Sequence, residues 1–382
     1  MSLISEYEQR TSWKYAPIQG TFPTAENLSN KVNHDGSYAV FPGSTVVFRA
    51  GRKCTQIIQM MQQILFQGLE GTNMLANPLP ASTIHMTLHD LISPEAHLTT
   101  AEYDCAVENS IDEAVAIVDE IRRDYAGRKL TLVSDRIVNM VSKSLVLLLR
   151  PKTEEDFALL LEMYRRFDEV HSLPYPLTPH ITLAYFKPGM LDGDKLEEVV
   201  DFAQIDPTNA PVFEFYTESL AAQVFRDMQT YRDIPERICF CCDGGLNRSV
   251  MAANIINHLA NTRGYRAFGE ARSAYPNTQG WSIPAQVWET LEKNGIHADR
   301  SFLSARYLTD EEISNFSAFA GISDGALERL MLLSVPEEKN ISRFFYGVLD
   351  PEYGETTYDQ AFRDIYSRAE KYSDSFAKEH AK

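Results

Sequence analysis

The sequence predicts two domains in tandem, an N-terminal α+β domain over residues 1–233 and a C-terminal α/β domain over residues 236–382. Three observations carry this. At 382 residues the chain is longer than one hydrophobic core usually serves. Its first part alternates strand-like and helix-like segments and carries the pattern His-x-Thr-Leu twice, at His85–Leu88 and His180–Leu183. Its last part opens on an apolar run, Arg237-Ile238-Cys239-Phe240-Cys241, which leads through Cys242 and a glycine turn into a helical pattern.

In order, residues 1–35 are polar and mixed, with a short helix near Thr24–Asn33. Alternation and β-branching predict a strand from Ser37 to Ala50, an amphipathic helix over Cys54–Leu69 and a strand over Thr83–Leu91. Asn109–Tyr125 reads as a helix, acidic early and basic late, as the helix dipole favours. Lys129–Asn139 and Ser142–Arg150 read as a hairpin, followed by a helix from Thr153 to Val170. Pro174, Pro176 and Pro179 force an extended entry into a strand over Ile181–Phe186. A short helix over Lys195–Phe202 and two antiparallel strands within Val212–Tyr231 complete the domain, and Tyr231–Pro235 reads as the linker. Beyond the strand ending at Cys241, Val250–Leu259 is a helix that Gly264 could stop.

The totals exclude some function classes. The 44 % hydrophobic and 11 % aromatic content is that of a globular protein, and no apolar run approaches a membrane span. Met1–Gln19 lacks the blocks of a signal peptide. Five cysteines at no zinc-like spacing predict neither a disulfide framework nor a metal site, and no cofactor motif is present. The net charge of −17 is spread over both parts: 20 Lys and Arg against 32 Asp and Glu in residues 1–235, and 16 against 21 in residues 236–382. That argues against duplex nucleic acid as a partner and leaves a small phosphorylated molecule or an RNA end. A thiol nucleophile fits the reducing cytoplasm.

On a strand, His and Thr two residues apart share a face, so each copy of the repeat presents an imidazole beside a hydroxyl. His85, Thr87, His180 and Thr182 could thus flank one phosphate. Strict alternation also puts His89 on the face of His85, where it could line the same cleft; the other reading is an ordinary polar residue at the strand end. A zinc pair of His85 and His89 would need a helix and a third ligand, and the sequence offers neither. The paired motifs, 95 residues apart in matching contexts, resemble the 2H phosphoesterase family. The resemblance implies a bilobal α+β domain and two-histidine acid–base opening of a 2′,3′-cyclic phosphate, a 2′–5′ linkage or another cyclic nucleotide. Thr87 and Thr182 would hold the non-bridging oxygens.

In the last part, a strand hands Cys242 to a turn, Asp243-Gly244-Gly245-Leu246-Asn247, and then to Arg248 and Ser249 at the start of a helix. Unpaired N–H groups and the dipole at a helix N-terminus hold an anion and stabilise a thiolate, and an arginine clamps two phosphate oxygens. This Cys-x5-Arg-Ser segment resembles the low-molecular-weight protein tyrosine phosphatases. The likeness continues through Arg272-Ser273-Ala274, Asn294-Gly295-Ile296 and Ala305–Thr309 to Asp350-Pro351-Glu352-Tyr353. It implies a parallel sheet flanked by helices, with Cys242 as nucleophile and residues 243–249 cradling the phosphate. Ser249 would lower the thiol pKa and Asp350 would act as acid and then base. Three residues depart from the family pattern: Gly245 stands for Asn, Asn247 for a second cysteine and Glu352 for an aromatic. With Asp243, Glu352 makes the rim acidic, which favours a cationic or sugar-borne phosphate over a tyrosine phosphate.

Opening a cyclic phosphate leaves a monoester, which a cysteine phosphatase would hydrolyse, so the chain reads as a bifunctional phosphohydrolase. Two independent activities, the second on a phosphoprotein as a tyrosine or arginine phosphatase, are the alternative. A further one is that one part only binds phosphate.

Overall fold

A computed structural model describes residues 15–16, 18–94, 100–204, 209–298, 303–333, 335 and 341–380. Residues 1–14, read above as polar and mixed, lie outside them. The chain divides into two compact units, residues 1–232 and 233–382.

The first unit runs β1 (Tyr15–Ala16), β2 (Thr21–Pro23), β3 (Gly43–Arg49), α1 (Arg52–Gly68), β4 (His85–Asp90), α2 (Thr100–Asp124), β5 (Lys129–Met140) and β6 (Ser144–Pro151). It continues through α3 (Glu154–Asp168), β7 (His180–Tyr185), β8 (Met190–Asp192), α4 (Gly193–Ala203), β9 (Val212–Tyr216), β10 (Leu220–Asp227) and β11 (Thr230–Ile234). One antiparallel sheet takes the order β1-β5-β6-β7-β4-β3-β10-β11, with β9 also on β5, while β2 and β8 pair separately. Two of the helices start on side-chain caps: Thr153 Oγ1 accepts the Asp156 N–H at 3.0 Å before α3, and Asp192 Oδ1 accepts the Lys195 N–H at 3.1 Å before α4.

The order of strands contains a repeat. A first pass gives β3, α1, β4, α2 and β5; a second gives β6, α3, β7, α4 and β10. Outward from the centre, one half of the sheet reads β4-β3-β10 and the other β7-β6-β5. Each half therefore borrows its third strand from the other pass, and the two motif strands meet in the middle. Both motif strands also carry a bulge at the same step. Thr87 pairs with Val47 but His89 with Val46; Thr182 pairs with Val146 but Ala184 with Leu145.

Four expectations for this unit are corrected. Thr24–Asn33 holds a short 3-10 turn, Glu26–Asn30, in place of a helix. The strand expected from Ser37 starts only at Gly43, after Pro42, which lacks the N–H a ladder needs. Val212–Tyr231 holds parts of three strands, and β9 pairs with β5, not with its sequence neighbour. The expected linker Tyr231–Pro235 is mostly strand, β11.

The second unit runs β12 (Glu236–Cys242), α5 (Arg248–Arg263), β13 (Ala267–Ser273), α6 (Ala285–Lys293), β14 (Ala318–Gly321), α7 (Asp324–Leu332), β15 (Ile341–Ser342) and α8 (Tyr358–His380). The four strands are parallel, in the order β13-β12-β14-β15. A parallel sheet needs both faces covered, and the alternation along β12 shows how. Ile238, Phe240 and Cys242 enter a core with α5, α6 and α8. Cys239 and Cys241 enter the opposite core with Phe319 and the α7 residues Ala326 and Leu330. Gly264, at φ 73°, closes α5 with the left-handed turn expected of it. Among the described residues no helix is long and apolar enough to cross a membrane.

Candidate active sites

In the second unit the β12–α5 junction brings the predicted residues together. Cys242 is 1 % exposed. Its Sγ lies 3.1 Å from Ser249 Oγ and accepts the Gly245 N–H at 3.3 Å. Gly245 stands at φ 66°, and a β-carbon there would meet Ser273 Cβ and N at 2.8 Å. The turn thus requires glycine for its conformation and for its contact with β13. Ser273, whose role was not readable from the sequence, braces the loop by donating to Asp243 O at 2.8 Å.

A cleft of about 380 Å³ is lined by Cys242, Asp243, Asn247, Tyr275, Trp281, Asp350 and Glu352, and Arg248 is buried behind two of these residues, Asp243 and Asp350. Its Nη2 contacts Asp243 Oδ2 and Asp350 Oδ2, each at 2.9 Å, and its Nη1 donates to Val348 O at 3.0 Å. Burial would lower the guanidinium pKa, but Cys242, Asp350 and Asp243 outweigh it and the net shift is upward. Asn247 turns its amide to the Asp350 segment, donating to Asp350 Oδ1 at 3.1 Å and Glu352 Oε2 at 3.0 Å. Tyr358 Oη donates to its oxygen at 3.4 Å. Burial pushes the thiols of Cys239 and Cys241 far up, which disqualifies both as nucleophiles. Arg272 lies away from the cleft, 3.0 Å from Glu270 and 3.1 Å from Glu312. Glu270, between Arg237 and Arg272, is held at about 2: burial alone would raise it, and the two guanidiniums reverse the sign.

In the first unit, β4 and β7 pair antiparallel through Met86 and Ile181. This register sets His85 beside Thr182 and His180 beside Thr87. Both strands show the same alternation: His85, Thr87, His180 and Thr182 are half-buried, while Met86, Leu88, Ile181 and Leu183 are fully buried. The four polar residues form a rectangle on one face with the histidines on a diagonal, a spacing of about 7–8 Å for such pairs and somewhat less between their Cβ atoms. His180 Nδ1 lies 2.7 Å from the Thr178 carbonyl, so Nδ1 carries the proton and Nε2 is the basic nitrogen of the neutral ring.

His89 does not join them. The bulge at Leu88 breaks the alternation and turns His89 to the helix side, where it is 1 % exposed. There its Nε2 is 3.2 Å from Asp168 Oδ1 and its ring packs on Tyr164, both on α3. The reading that placed it in the cleft beside His85 is corrected, whereas it does stand at the end of β4, as the other reading had it.

Several residues at this face were not anticipated. Arg49, 7 % exposed, stands across β3 from His85. Tyr231 meets the His85 ring edge-on, with centroids 5.0 Å apart. The bulge at Leu183 returns Tyr185 toward Thr182, and burial raises the phenols of Tyr185 and Tyr231 above their ordinary range. A lone arginine ending the apolar strand Val46-Val47-Phe48 was the one available signal.

A Cys-x5-Arg loop between a parallel strand and a helix, with an aspartate facing it, defines the second unit as a cysteine-phosphatase-like α/β domain. Residues 237–382 match the family model "Low molecular weight phosphotyrosine protein phosphatase", so the C-terminal unit carries a domain of that family. No curated protein matches the chain. Among solved structures, YfkJ from Bacillus subtilis is 19 % identical with a TM-score of 0.34, covering 38 % of this chain and 96 % of its own. The low molecular weight protein tyrosine phosphatase of T. tengcongensis is 24 % identical, TM-score 0.32, covering 37 % and 99 %. ATU0111 of Agrobacterium tumefaciens str. C58, a conserved protein of unknown function, is 16 % identical, TM-score 0.40, covering 60 % and 97 %.

Proposed function

We propose that the chain is a bifunctional phosphohydrolase of the cytoplasm whose first unit opens a cyclic phosphate and whose second unit hydrolyses a phosphomonoester. The observation that carries the second activity is the Cys242 sulfur, held by Gly245 N–H and Ser249 Oγ in a cleft that also contains Asp350, to which Arg248 is paired. The thiolate attacks phosphorus, the leaving oxygen takes a proton from Asp350, and a phosphocysteine forms. Arg248 and the amides of residues 243–249 stabilise the equatorial oxygens. Asp350, now a carboxylate, activates the water that releases inorganic phosphate and frees the thiolate.

The first activity is supported by the diagonal of His85 and His180 with the hydroxyls of Thr87 and Thr182 between them. One imidazole takes a proton from the attacking water or hydroxyl while the other, protonated, gives one to the leaving oxygen. The substrate is a 2′,3′-cyclic nucleotide, an RNA end or a related cyclic phosphate, and neither unit calls for a metal or cofactor in this scheme. The product of the first unit is then a substrate of the second. The test compares wild type with Cys242→Ser on a 2′,3′-cyclic nucleotide. The variant accumulates the monoester, whereas wild type releases inorganic phosphate; equal product profiles refute the coupling.

A second reading has the C-terminal unit acting separately on a phosphoprotein. The acidic pair Asp243 and Glu352 at the cleft favours a cationic phosphorylated side chain over phosphotyrosine on this reading. A panel of phosphopeptides and small phosphomonoesters separates the two.

A further inference from the structure

Asp243 follows the proposed nucleophile directly, and the reaction outlined above has no use for its side chain. Its carboxylate is nevertheless engaged at the centre of the site. Oδ2 lies 2.9 Å from Arg248 Nη2, the nitrogen that also meets Asp350 Oδ2 at 2.9 Å. Arg248 Nη1 is bonded to the Val348 carbonyl at 3.0 Å. Both contacts of Nη2 therefore go to the protein's own carboxylates and Nη1 is bonded to a carbonyl, while the buried Nε has no hydrogen-bond partner among the described residues. Oδ1 reaches the first turn of α7, where a β-carbon on Gly325 would collide with it and with the Tyr275 hydroxyl. The carboxylate thus occupies a place that a side chain at 325 would deny it.

We infer that Asp243 is an internal anion standing on Arg248 in place of the substrate's phosphoryl group, and that its displacement sets the affinity and charge selectivity of the cleft. This rests on the phosphatase reading of the C-terminal unit. A phosphoryl dianion brings more charge and three oxygens to the loop amides and Arg248, and so displaces a carboxylate. A monoanion of the same shape does not. Asp243 thereby acts as a specificity-determining residue, filtering for dianionic phosphoryl groups.

The experiment is calorimetric titration of the full-length chain with inorganic phosphate, comparing wild type, Asp243→Asn and Glu352→Gln. Glu352 is the control, because it lies at the same cleft and carries the same charge but is bonded to Asn247, not to Arg248. Asp243→Asn is expected to bind phosphate about tenfold more tightly, equivalent to about 1.4 kcal/mol. Glu352→Gln is expected to move the affinity by much less. An unchanged or weaker affinity in Asp243→Asn overturns the inference, as does an equal gain in both variants, which would be a general charge effect. Asp243→Ser, with its melting temperature measured, repeats the test should asparagine disturb the fold. If Cys242-dependent turnover of an aryl phosphate persists while Asp243→Asn binds like wild type, this inference falls and the phosphatase reading stands. If no variant binds phosphate and none turns over the aryl ester, both fall.

Discussion

Replacing Gly245 by alanine tests whether the loop amide sets the reactivity of Cys242. An L-residue in the left-handed region costs about 1–2 kcal/mol, and Gly245 sits at φ 66°. The added β-carbon would also lie 2.8 Å from Ser273 Cβ and N. Ser273 has little freedom to retreat, since its N–H donates to Arg306 O at 2.7 Å and its hydroxyl to Asp243 O at 2.8 Å. The loop must move instead, carrying the Gly245 N–H away from the sulfur it meets at 3.3 Å. A hydrogen bond to a charged group contributes about 1.5–3 kcal/mol, so losing it slows reaction of the Cys242 sulfur by about 10–100-fold relative to wild type. The assay is the rate of alkylation by iodoacetamide at fixed pH in a Cys105→Ser background. Cys105 is the exposed competitor there, whereas Cys239 and Cys241 are buried with raised pKa values. Gly245→Asn behaves like alanine, because tolerance of a left-handed backbone does not remove the collision. An alkylation rate that stays unchanged in both variants refutes the reasoning.

Glu270→Gln probes the ion cluster behind the loop. The Glu270 carboxyl is lowered from 4.5 to about 2, so its contribution is complete above the unfolded value and is lost as pH falls from about 4.5 toward 2. The shift corresponds to about 3 kcal/mol. The variant is less stable at neutral pH and its stability falls less steeply on acidification. Denaturation followed through Trp281 and Trp288 in a Trp13→Phe background measures this, and a parallel acid limb would contradict it. Asn247→Ala releases Asp350 and Glu352, so turnover of an alkyl phosphate drops about 10–100-fold. Turnover of an aryl phosphate with a good leaving group changes little, and equal losses on both would make Asn247 merely structural. His85→Ala and His180→Ala each lower cyclic-phosphate opening by about 10²–10⁴ and leave the Cys242-dependent activity intact; assaying both reactions on one preparation checks this.

What was legible in the sequence was what depends on local order. The Cys242-to-Ser249 segment reads correctly because a strand, a glycine turn and a helix start are all encoded within a dozen residues. The His-x-Thr copies read correctly as strands for the same reason. His89 did not, because a bulge is an extra residue in a ladder, and a ladder is defined by the partner strand; nothing within Thr87-Leu88-His89 announces it. Arg49 and Tyr231 reach the histidine face from strands 36 residues before His85 and 146 residues after it, so only the sheet order reveals them. Asn247 could be read only as a missing cysteine, although its amide grips a segment more than 100 residues away.

That grip connects departures that look separate along the chain. Asp350 is held from two sides, its Oδ1 by Asn247 at 3.1 Å and its Oδ2 by Arg248 at 2.9 Å. Asp243 competes for the same Arg248 nitrogen. On the proposed mechanism, an arriving phosphoryl group takes Arg248 away from both carboxylates but leaves the bond to Asn247 untouched. Asp350 then stays aimed at the leaving oxygen while its contact with Arg248 is released, which frees the carboxyl for the substrate. A cysteine at 247 offers no amide for this purpose. Asn247→Cys would therefore lose the leaving-group discrimination of the wild type even if its thiol formed a reversible bond with Cys242, and measuring turnover under full reduction separates the two effects.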